Sequence, residues 1–146
     1  MRDVAFRVVA ALCLAGTGWV HTSLYLGGYR EIAYIGPMFL LLASASFAVA
    51  LLLLIAGAPV LRLLAAGLSI GALFGFVLSR TVGVFGFTER GLQPAPQALL
   101  SLVFEVLTLA LLALTFILGQ RGTSTDTRMS GPPSLSSTDA SSTRAR

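Results

Sequence analysis

Four apolar stretches, at about residues 4–26, 37–56, 61–87 and 98–118, constrain this chain more than any other feature of it. Each reaches the roughly 20 residues that a helix needs to cross a hydrocarbon core of about 30 Å. Inside lipid, backbone N–H and C=O groups must bond within their own segment, so the stretches are expected as helices. The connections between them are short, which makes consecutive helices antiparallel. The fold class that follows is all-α: an up-down-up-down bundle of four transmembrane helices over residues 1–119. A tail at 120–146, rich in Ser, Thr, Gly, Pro and Arg, cannot bury enough surface to offset its ordering entropy and is expected to be disordered.

Composition supports the same class. Hydrophobic residues make up 55% of the chain and charged residues 11%, against about 25% charged in ordinary soluble domains. Arg2 and Arg7 supply a positively charged flank near the start of the first stretch, and the apolar region follows. The apolar run then continues through Trp19 and Val20 with no small-residue cleavage site, so it is expected to stay as a helix rather than leave as a signal peptide. The net charge is +4 and every basic residue is Arg. These Arg residues are scattered among apolar runs, so no basic patch for nucleic acid is expected. With one cysteine, Cys13, neither an intrachain disulfide nor a Cys-based metal cluster can form.

Arg placement also predicts orientation. Arg2, Arg7, Arg62, Arg121 and Arg128 fall on the side shared by both termini, and Arg30 and Arg90 on the other. The bias places both termini in the cytoplasm of a multi-pass plasma-membrane protein. Tyr25, Tyr29 and Tyr34 then form an aromatic belt on the outer face.

Two patterns mark where a site would be. In the third stretch, Gly67, Gly71, Gly75, Ser79 and Gly83 recur every four residues, a candidate helix-packing face. Such a face serves either packing within the bundle or a homo-oligomer seam. In the first and fourth stretches, polar residues share one face: Cys13, Thr17, His21 and Tyr25, and Ser101, Glu105, Thr108 and Thr115. With about 1.5 Å of rise per residue, His21, Arg80 and Glu105 fall about 9, 10 and 12 Å from the outer helix ends. Charges at that depth are costly unless paired. The expectation is therefore an intramembrane polar cluster of His21, Arg80 and Glu105, with Arg80 and Glu105 paired directly or through one polar group. Glu31 and Glu89 are expected to pair with the adjacent Arg30 and Arg90.

No nucleotide-binding, metalloprotease or serine-hydrolase motif occurs in the sequence. No catalytic residue, cofactor or metal is expected, and no enzymatic activity. The leading expectation is an accessory or structural membrane component, with the lipid bilayer and a second copy or another membrane protein as partners. The alternative is a protein that binds a small ligand, ion or proton through the outer-half cluster.

The residues His21, Gly28-Tyr29-Arg30, Ile35-Gly36, Phe39, Gly83-Val84-Phe85-Gly86-Phe87-Thr88-Glu89 and Glu105 resemble a group of small four-helix membrane proteins of actinobacteria. The resemblance covers roughly residues 4–118. It implies the same architecture and a plasma-membrane location, and it brings no activity.

Overall fold

The computed structural model describes residues 2–126, with side chains placed for 3–118. Its elements are α1 (Arg2–Leu26), a short 3-10 turn (Tyr29–Glu31), α2 (Ile35–Ile55), α3 (Pro59–Thr81) and α4 (Gln97–Asp126). All four helices contain an apolar span long enough to cross a membrane. The chain is an all-α, multi-pass membrane protein. The helices form a ring in which α1 packs most extensively on α2 and α4, while α3 leans more lightly on α2 and α4. Large apolar side chains such as Leu12, Trp19, Leu63, Phe74 and Phe116 face outward, where lipid covers them.

The helix ends follow local chemistry. Pro59 opens α3 at its first turn, where a missing N–H costs nothing. Gly36, in the first turn of α2, sits where a Cβ would fall 2.8 Å from the Arg30 carbonyl oxygen, so no larger residue fits that approach. Arg7 on α1 closes the end of α2: its Nε and Nη2 donate to the Leu53 and Leu54 carbonyls, each at 2.9 Å. Those carbonyls lie in the last turn of α2, where no helical N–H remains for them.

Several boundaries differ from expectation. The first concerns α3, which stops at Thr81 rather than near Phe87. Gly83 takes φ +79, and Val84 and Phe87 then exchange both backbone hydrogen bonds, at 2.9 and 2.8 Å, in a tight turn. That pairing uses N–H and C=O groups that helix continuation would need. Gly83 therefore leaves the helical small-residue face. In the second difference, α1, α2 and α3 each begin two residues before the expected start. The third is at α4, which continues as helix to Asp126, past the expected end at 118, because each added residue of an existing helix gains a backbone bond. The rest of the expected tail, 127–146, lies outside the described residues.

The core joins α1, α2 and α3 through Leu14, Val49, Leu53, Leu61 and Ala65. Close helix approach comes from two glycines of α1. A Cβ on Gly16 would meet the Phe104 ring at 2.7 Å, and one on Gly18 would meet the Phe47 ring at 3.1 Å. These contacts fix α1 against α4 and α2.

Candidate functional site

The α3 glycines do the opposite. A Cβ added at Gly67, Gly71 or Gly75 meets nothing within 4 Å. These positions form part of the wall of a cleft of about 340 Å³. Its other walls come from α2 (Ile35, Met38, Phe39), α1 (His21, Leu24) and α4 (Ala98, Ser101), and the 82–96 loop reaches it through Val84, Phe87 and Glu89. The volume lies within the range of small-molecule sites, which starts near ~300 Å³. Missing side chains on α3 create this space, because successive small residues on one face leave a groove where larger ones would fill it.

The cleft is apolar along most of its length and polar where α3 meets the 82–96 loop. Arg80 stands there, one residue before the end of α3. Its Nε donates to the Gly91 carbonyl at 2.6 Å. Nη1 donates to the Phe76 carbonyl at 3.3 Å and to Ser79 Oγ at 2.9 Å. Nη2 donates to the Gln93 carbonyl at 2.6 Å and pairs with Glu89 Oε2 at 2.8 Å. The Arg80 side chain, with the five N–H groups of a guanidinium, makes four hydrogen bonds, and the Glu89 carboxylate balances its charge. The guanidinium also lies over the Phe76 ring, 3.5 Å from its centroid.

Glu89 is held equally well. Its other oxygen accepts the Tyr29 hydroxyl, and its backbone N–H donates to the Ser79 carbonyl at 2.9 Å. Tyr29 stacks on Phe39, centroids 4.9 Å apart, and meets Phe87 edge-on at 5.7 Å. Burial, and then the hydrogen bond to Glu89, hold the Tyr29 phenol well above its usual range. Tyr29, Arg80 and Glu89 thus latch the 82–96 loop to the helix ends.

The expected pairing of Arg80 with Glu105 does not form. Glu105 is 1% exposed; Ser101 donates to its Oε1 at 2.5 Å, and its Oε2 has no partner among the described residues. The reason is the early stop of α3. Ending six residues sooner moves Arg80 by about 9 Å relative to the helix end, out of the hydrophobic interior and into reach of the loop carbonyls. Glu31 does pair with Arg30, at 2.9 Å. Glu89 takes Arg80 rather than its neighbour Arg90.

His21 lines the same cleft, packed against Phe39 with ring centroids 5.3 Å apart. Its Nδ1 lies 2.9 Å from the Thr17 carbonyl oxygen. Ser101 also faces the cleft, one helical turn before Glu105 on α4. The structure therefore brings His21 and Arg80 to one cavity and leaves Glu105 beyond Ser101. Thr17, Ser46 and Ser69 are fully buried, and their hydroxyls have no partner among the described residues.

No known protein family, no curated protein and no solved structure matches the chain. Of the resemblance drawn from short motifs, the four-helix membrane architecture stands on the structure itself.

Proposed function

We propose that this chain is a non-enzymatic membrane protein that binds one lipid-sized amphipathic molecule in the cleft beside α3. The observation that carries the reading is the open face at Gly67, Gly71 and Gly75, where an added Cβ would meet nothing within 4 Å. The apolar walls suit a hydrocarbon tail, and the single polar end suits one headgroup. Both termini lie in the cytoplasm, which puts the latched loop and the cleft's polar end at the outer leaflet.

A helix from a second copy would also suit a glycine-lined groove, so the experiment separates the two. The parent and a Gly71→Leu/Gly75→Leu variant are purified in mild detergent and compared by native mass spectrometry and by crosslinking in membranes. The proposal expects a co-purifying amphiphile on the parent, its loss in the variant, and an unchanged helical circular-dichroism spectrum. Retention of the same amphiphile by the variant overturns it. So does a crosslinked dimer that disappears in the variant, which would assign the face to self-association.

A further inference from the structure

Resting on that cleft, we infer that its ligand presents an uncharged, hydroxyl-bearing headgroup, which donates hydrogen bonds to His21 Nε2 and Ser101 Oγ.

The argument is a count of donors and acceptors at the polar end. Arg80 is the only cationic side chain lining the cleft among the described residues, and its guanidinium already makes four hydrogen bonds and an ion pair with Glu89. Its charge is answered by Glu89 and its donors point at the loop and helix acceptors rather than at the cleft's apolar length. Both Glu89 oxygens are taken, by Tyr29 and Arg80. Ser79 accepts from Arg80 and donates to the Phe76 carbonyl at 2.9 Å. Within this latch every charge is answered, so a charged headgroup would enter without a partner and bear the full cost of leaving water.

Two groups remain. A carbonyl only accepts, so the contact with Thr17 puts the proton of a neutral His21 ring on Nδ1. Nε2 is then an acceptor, and it bonds to no described residue. Ser101 spends its hydrogen on Glu105, which leaves its Oγ lone pairs as its remaining capacity. Both vacancies are acceptors. An alcohol satisfies them; an ether or ester of the same shape does not, and an acceptor set against an acceptor leaves buried polar atoms unpaired.

The test uses three probes with one oleoyl tail: monooleoylglycerol, its dimethyl ether and oleoyl lysophosphatidic acid. Binding is read by native mass spectrometry and by the shift in unfolding temperature. The parent protein is expected to bind the alcohol about tenfold more tightly than the ether, the equivalent of roughly one net hydrogen bond, and to bind the phosphate more weakly than the alcohol. Ser101→Ala should lower that discrimination while still binding the tail, and Ser101→Thr should restore it. Equal binding of alcohol and ether, or a preference for the phosphate, overturns the headgroup inference and leaves the cleft standing. If no probe binds and Gly71→Leu changes nothing, the cleft reading falls and this inference with it.

Discussion

The Arg80–Glu89 pair offers the most direct test of how the site is held. Both side chains are largely buried, at 13% and 14% exposure, with a separation of 2.8 Å. Exposed pairs of this kind contribute about 0.2–1 kcal/mol, and removing one member of a fully buried pair costs about 3–5 kcal/mol. A pair at this depth belongs between those limits. Glu89→Gln keeps an oxygen for Tyr29 or Arg80 and loses the charge, so its expected cost is about 1–2 kcal/mol. Arg80→Leu also strips the Gly91 and Gln93 carbonyls of their donor, and its expected cost is about 3 kcal/mol or more. The double variant removes the attraction once, so the coupling in the cycle should be about 1–2 kcal/mol. Stability would be measured by denaturant titration in mixed micelles, followed by circular dichroism. A second cycle between Arg80 and Glu105 supplies the contrast, with additivity within about 0.5 kcal/mol expected for residues that share no partner. Additive losses for Arg80 and Glu89, or strong coupling of Arg80 to Glu105, would refute the assignment and return the ion pair to the hydrophobic interior.

Other expectations follow from the same contacts. Gly16→Leu should destabilise the bundle by about 2 kcal/mol or more, because even a Cβ there meets the Phe104 ring at 2.7 Å. Gly71→Ala should stabilise it by up to about 1 kcal/mol, gaining helix propensity at no steric cost; the same denaturant titration ranks the two. Tyr29 titrates above its ordinary value in the folded chain. Its contribution is thus complete below about pH 10 and lost above it, as the unfolded chain releases the phenolic proton first. Tyr29→Phe should therefore flatten the decline of stability above pH 10, and an unchanged alkaline limb would count against the latch. For topology, a Cys placed at Gly28 or Gln93 in a Cys13→Ala background should react with a membrane-impermeant thiol reagent on intact cells, and a Cys at Ser134 should not; the reverse pattern inverts the orientation.

The helix count, the apolar spans and the antiparallel order were legible because they depend on length and hydropathy alone. A run of about 20 apolar residues has few alternatives in lipid. Periodicity also identified the α3 glycines as a distinct face. It could not say what lies opposite that face, because small residues permit a close approach without supplying a neighbour. Gly16 and Gly18 show the difference. They lack a repeat long enough to draw attention, yet the Phe104 and Phe47 rings sit where their side chains would be. Close packing is decided by the partner's large residue as much as by the glycine.

The misplaced ion pair has a related cause. Hydropathy fades at Phe87, whereas the helix ends where backbone groups find other partners, at Thr81. Val84, Phe85 and Phe87 are as apolar as any residue within the span, so hydropathy runs through a turn that the Gly83 backbone has already made. Six residues of apolar loop were enough to move Arg80 from one prospective carboxylate to another. That turn also brings Glu89 back to Ser79 and Tyr29, a closure that neighbour-by-neighbour reading assigns to Arg90 instead. The same displacement decides the chemistry of the cleft. Had α3 continued to Phe87, Arg80 would stand deeper in the bundle, away from the Gly91 and Gln93 carbonyls that now occupy its donors. Because the helix stops early, the guanidinium is consumed by the loop, and the polar end of the cleft is left to His21 and Ser101.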